Sequence, residues 1–132
     1  MRRVGDDLTY SVDFILEGLP KLQTNSYGHW RTRHAEKSHW ERRVGGVLLG
    51  RVPSEPLERV TVEFTRYSTT EPDFDNLVAS FKPICDGLIK AGVIVDDKPS
   101  NIGSPTYRWE KAKRGEGRIH VHVREVGHEP EG

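Results

Sequence analysis

Residues 59–97 read RVTVEFTRYSTTEPDFDNLVASFKPICDGLIKAGVIVDD, and the succession of patterns within them decides the fold. Over 59–67, Val60, Val62 and Phe64 alternate with polar residues, the period of a half-buried strand. Over 75–90 the period changes, and Leu77, Phe81, Cys85, Leu88 and Ile89 fall on one helical stripe. Pro83 sits inside that stripe, where its ring and missing N–H break a helical hydrogen bond; a helix restarting there, with Pro83 in its first turn, removes the conflict. Gly92 is a helix stop. Val93, Ile94 and Val95 then read as a short buried strand that ends in Asp96 and Asp97.

Working outward, residues 8–16 (LTYSVDFIL) place Tyr10, Val12, Phe14 and Leu16 on one face of a strand. Gly18 and Pro20 stop it, and 17–29 reads as a loop. Residues 34–49 put Trp40, Val44, Val47 and Leu48 at helical spacing, although Gly45 and Gly46 weaken the pattern. Two prolines make 51–58 a connector. On the far side, 105–113 and 118–126 read as a hairpin with Gly115 and Gly117 near its turn. The expected order is β-α-β-α-β-β-β, an α+β fold with a mixed sheet and about two helices. Residues 1–127 form the single expected domain, and 128–132 a disordered tail.

Composition agrees with one domain. A chain of 132 residues buries a core without disulfide staples. With 34% hydrophobic and 30% charged residues, that core is small and the polar surface large. No apolar run approaches the roughly 18 residues of a membrane span. The start, MRRVGDDLTY, lacks the apolar stretch of a secretory signal. Cys85 is the single cysteine, in a setting that reads as a small buried hydrophobe rather than a nucleophile. The expectation is a cytoplasmic protein; membrane transport and disulfide-stapled secreted scaffolds are excluded.

The formal charge is zero, with 20 basic and 20 acidic residues, but it is not evenly mixed. Between Arg31 and Arg43 five basic residues face two acids, a net of +3, and the same holds between Arg108 and Arg118. Between them, Glu71 to Asp97 carries six acids against Lys82 and Lys90, a net of −4. Such runs are usually solvated faces. The sharper reading is a metal site set within a phosphate-binding surface.

Within the acidic segment, Asp73 and Asp75 lie two apart, so in an extended chain both carboxylates share one side. Asp75 also reads as a helix N-cap and Asn76 as a turn residue. Capping accounts for neither Asp73 nor the second pair, Asp96–Asp97. Should the strand ending in that pair lie beside 59–67, three carboxylates meet, raise one another's pKa, and call for a cation. Mg²⁺, hard and oxygen-preferring, is the natural occupant. Residue types alone leave both the metal site and the cap-and-turn open.

The combination PDFDNL…FKPICDGLIKAGVIVDD resembles the signature of the RusA family, the Holliday junction resolvases of bacteria and phages: Asp-x-Asp-Asn-Leu, then a Lys, then Asp-x-Leu, then Gly and an Asp-Asp pair. The first strand, the Gly-Leu-Pro turn and Asn25 resemble the family too. The resemblance implies a RusA-like fold and a Mg²⁺-dependent endonuclease, with Mn²⁺ as a substitute, that resolves four-way DNA in recombination and repair by paired symmetric cuts. It implies Asp73, Asp75 and Asp97 as catalytic metal ligands and Lys82 as the catalytic lysine. Asp96, Asp86 and Asn76 are supporting groups around them. One departure is a segment between Asn76 and Lys82 about three residues longer than the family's, which returns Lys82 to nearly the same helix face one turn further on. The family also implies a homodimer, since two symmetric cuts suit a two-fold axis.

For DNA contact the candidates are Asn25, Arg31, Arg33 and Lys37, with Arg42, Arg43, Trp30 and Trp40 nearby. Glu36 and Glu41 offer the plainer alternative of local ion pairs along a solvated helix. His29, His34 and His39 recur every five residues and share no helix face, which speaks against zinc. His120 and His122 read as the exposed face of a strand. Two other function classes fit parts of the pattern: a branched-DNA-binding protein without cutting, and an Asp-x-Asp transferase using Mn²⁺ and a nucleotide-sugar. The chain is short for the nucleotide-binding domain that usually accompanies the second.

Overall fold

The computed structural model describes residues 10–22 and 30–126, with the backbone alone for 30–33. It is an α+β domain with one mixed four-stranded sheet. The strands are β1 (Ser11–Glu17), β2 (Val60–Ser68), β3 (Thr106–Lys111) and β4 (Arg118–Glu125). The helices are α1 (Trp30–Val47) and a second helical stretch broken into α2 (Phe74–Ser80) and α3 (Lys82–Ala91). The expected tail at 128–132 and the loop residue Asn25 lie outside the described residues.

The break in the second helix falls where Pro83 requires it. Phe81 joins the two halves, and Pro83 sits in the first turn of α3, where a missing N–H has no helical partner to lose. Gly92 closes α3 in the left-handed conformation, φ 91°, at little steric cost for a residue without Cβ.

The strand order is β1-β4-β2-β3, with β3 parallel to β2 and the other pairings antiparallel. The expected hairpin does not form. Strand β4 inserts between β1 and β2, and β3 lies on the far edge of β2. The apolar content of the two strands explains the choice. Ile119, Val121 and Val123 of β4 are fully buried, and across them run the rows Val12–Val123–Val62 and Phe14–Val121–Phe64. Strand β3 offers only partly buried Tyr107 and Trp109, which suits an edge. The segment 112–117 therefore crosses the end of β2, and Ala112 N donates to Ser68 O at 2.9 Å.

The expected strand at 93–95 is also absent. Ile94 makes one isolated parallel bridge to Leu57, ahead of β2, and Val95 is exposed. Three residues are too few to build a ladder, so Val93 and Ile94 fill the core while the chain turns away.

The core is continuous. Trp40 and Val44 of α1, Leu48 just past its end, and Ile84, Cys85 and Leu88 of α3 join the buried strand residues in one cluster. Helices α1 and α3 touch at Gly87. A Cβ added there would lie 2.9 Å from Val44 Cβ and 3.3 Å from the Glu41 backbone, so only glycine allows this spacing. No helix among the described residues is long and apolar enough to cross a membrane.

Candidate active site

One end of the sheet leads to Asp73. Glu17, Arg118 and Tyr67 share one row, and Ser68 pairs with Lys111. The ends of β1, β2 and β3 and the start of β4 therefore lie together. The chain leaves β2 at this end and reaches Asp73 five residues after Ser68.

Asp73, rather than Asp75, occupies the N-cap of α2. Its backbone is extended (φ −64°, ψ 152°) and its side chain makes no capping hydrogen bond. Asp75 already lies in the first helical turn. This alters the expected geometry: the two carboxylates do not line one side of an extended strand, because the helix begins between them at Phe74. Both are exposed. Phe74, also exposed, sets its ring edge-on to Tyr107, 6.3 Å between centroids.

Lys82, Asp86 and Asp97 form a second group. Lys82 Nζ donates to Asp97 Oδ2 at 2.8 Å and lies 3.1 Å from Asp86 Oδ1. Asp86 is one turn along α3, which follows from i,i+4 spacing. Asp97 is brought in by the turn of the chain after Ile94. The Asp97 hydrogen bond, with Asp86 behind it, raises the Lys82 ammonium above the ordinary lysine range. Lys82 in turn holds the Asp97 carboxyl below the usual carboxylate range. Lys82 is thus a cation throughout the physiological range. Two of its three N–H donors are engaged, and its side chain remains 61% exposed.

The other residues singled out in the sequence take supporting places. Asp96 Oδ1 accepts from the Asp97 N–H at 2.8 Å, and Lys98 Nζ lies 3.8 Å from Asp96 Oδ2. Asn76 is half-buried in α2. Lys37 pairs with Glu41 one turn along α1 and stands 4.0 Å from Asp86 Oδ2. Glu41 is buried and also faces Lys90 at 3.8 Å. Alternating charges thus run from Lys90 through Glu41, Lys37, Asp86 and Lys82 to Asp97, stitching α1 to α3. The Arg31 and Arg33 side chains lie outside the described residues, as does Asn25.

Lys82 and Asp97 stand at a cleft of about 420 Å³ whose walls include Phe81, Cys85, Ile102 and Tyr107. Tyr107 stacks on Phe64, 5.3 Å between centroids and 10° between planes. Sequence patterning does not single Tyr107 out, since its position on an edge strand beside the cleft depends on strand order. Burial above all, with the Asp97 carboxylate adding to it, raises its hydroxyl pKa. Burial pushes the Cys85 thiol up to about 12, so it stays protonated and serves as an apolar wall, as its sequence setting indicates.

Asp73, Asp75 and Asp97 do not converge as a three-carboxylate cage, and among the described residues no three His, Cys, Asp or Glu side chains group as ligands of one ion. Asp97 meets Lys82 instead. The donors nevertheless suit Mg²⁺ in its usual mode, in which one or two carboxylates act with waters and substrate phosphate oxygens. The Asp73 side chain, exposed and not engaged in capping, is such a donor.

No family model matches the chain, and no curated protein matches it.

Proposed function

We propose that the chain is a Mg²⁺-dependent endonuclease of branched DNA, of the RusA type, acting as a cytoplasmic homodimer that resolves four-way junctions by paired symmetric cuts in recombination and repair. The contact that carries this reading is Lys82 on Asp97. These residues, 15 apart in sequence, stand in the order Asp-x-Asp-Asn, Lys, Asp, Asp-Asp that the resemblance rests on, and they meet within 2.8 Å at a cleft.

In this reading Asp73 and Asp75 would hold Mg²⁺, with Mn²⁺ as a substitute, together with waters and phosphate oxygens, while Asp97 stays paired with Lys82; the ion would supply electrophilic activation of a phosphodiester. Lys82 places its free N–H toward the phosphate oxygens and offsets their developing negative charge. Asp86 keeps the Lys82 chain directed along α3. Asp96 accepts from the Asp97 backbone and orders the turn that carries Asp97. Lys37, Arg31, Arg33 and Asn25 contact DNA beyond the cut.

A second reading is favoured by the lack, among the described residues, of a group of three metal-ligating side chains: a junction-binding protein that does not cut. A labelled four-way junction, incubated with Mg²⁺ and with chelator, separates the two. Paired nicks that need Mg²⁺ and vanish in Asp75→Asn, with junction binding retained, are expected. Tight binding without nicks supports the second reading, and full cutting by Asp75→Asn refutes the metal assignment.

A further inference from the structure

The displaced hairpin has a consequence for the second basic block. Because 112–117 crosses the end of β2, it runs along the same end of the sheet from which the chain departs toward Asp73. Lys111 Nζ donates to Thr69 O at 3.3 Å, tying the crossover to that departing segment. Arg118 spreads its guanidinium over the Tyr67 ring, 4.1 Å from the centroid, and donates to Glu116 O at 3.0 Å. Lys111, Lys113 and Arg114 are exposed.

These cations differ from the lysines between α1, α3 and the Asp96–Asp97 turn. Lys37, Lys82, Lys90 and Lys98 each lie within 4.0 Å of a carboxylate. Among the described residues, no carboxylate lies within that distance of Lys111, Lys113, Arg114 or Arg118. Glu110 and Glu116 share the segment without pairing to them. Exposed Lys113 and Arg114, flanked by Lys111 and Arg118 that are held to backbone oxygens but free of carboxylates, suit a polyanion with regularly spaced charges, such as a phosphodiester backbone.

We propose that the crossover from Lys111 to Arg118 is a phosphate-binding rim that grips one duplex arm of branched DNA beside Asp73. This rests on the endonuclease reading and adds a specific contact surface to the DNA candidates of the first basic block. Arms of DNA held at this end of the sheet would set which strand reaches Asp73 and Asp75.

The test is junction affinity, by fluorescence anisotropy, across a KCl series. Each phosphate contact contributes about 0.9 to the slope of log affinity against log salt, so the double variant Lys113→Gln/Arg114→Gln is expected to lower the slope by about 2 and to weaken binding roughly 10- to 100-fold at 0.1 M salt. The matched control is Arg59→Gln/Arg124→Gln, two exposed cations at the opposite end of the sheet, which should leave the slope in place. An unchanged slope in the rim variant overturns the proposal, as does equal loss in both, which would reflect net charge alone. A wild-type chain that binds and cuts junctions while the rim variant matches it refutes only the rim. A wild-type chain that binds no DNA refutes the endonuclease reading as well. Tighter binding of an RNA duplex than of the junction also overturns the proposal.

Discussion

Replacing Gly87 by alanine tests whether the closeness of α1 and α3 is real. The new Cβ would sit 2.9 Å from Val44 Cβ, 3.0 Å from Val44 Cγ2 and 3.3 Å from the Glu41 Cα. Carbon atoms prefer about 3.5–4.0 Å, so the helices must part by something near half an ångström or more. Rotating Val44 does not relieve the clash, because its Cβ does not move with χ1. Overpacking of this kind costs about 1–3 kcal/mol, offset by up to about 1 kcal/mol from alanine's better helix propensity. The expected net loss is about 1–2 kcal/mol, or roughly 4–8 °C in Tm for a domain of this size. Thermal unfolding followed by circular dichroism reads it directly. Gly45→Ala is the matched comparison: it also lies inside a helix, yet its Cβ meets nothing within 4 Å. That variant should gain about 0.5–1 kcal/mol. A Gly87→Ala protein that melts at or above the parent temperature would refute the packing. The same variant should lengthen the Lys37–Asp86 approach and loosen the charge row that leads to Lys82.

Two further outcomes follow from the site. The Asp97 carboxyl titrates below its unfolded value because of Lys82, so this pair stabilises the fold above about pH 4, and the contribution is lost as pH falls through the lowered native pKa. The pair is partly exposed, so the effect is at most about 1 kcal/mol, and acid unfolding of Lys82→Met should show a shallower loss than the parent between neutral pH and pH 2. Cys85, buried and with its thiol near 12, should resist alkylation by iodoacetamide at pH 8 in the folded chain and react fully in urea; rapid modification of the native protein would contradict its burial.

The strands and helices were legible because their signals are local. The alternation in β1, β2 and β4 names the inward faces correctly, and Pro83 marks where the second helix breaks. Residues 93–95 were misleading, because three β-branched residues suit a buried turn as well as a strand. The helix start at Phe74 moved the cap from Asp75 to Asp73, a shift of two residues that local propensity cannot resolve.

Part of the candidate site was also legible. Lys82 and Asp86 are four apart on a helix, so their contact is implied by spacing. The contact of Lys82 with Asp97 and the place of Tyr107 beside the cleft have no local signature. The same is true of the strand order. The segment 112–117 is short enough for a hairpin, and its residues permit one. What turned it into a crossover was the burial available to β4: between β1 and β2 its Val121 and Val123 find apolar partners on both sides and Ile119 finds Leu16 on β1, whereas β3 offers few. The sequence by itself determined roughly where most helices and strands lie and which of their faces are apolar, since those depend on backbone period and on neighbours within a turn. Only the tertiary structure decided which strands pair and which charges meet, since those depend on competition for buried area among segments far apart in the chain.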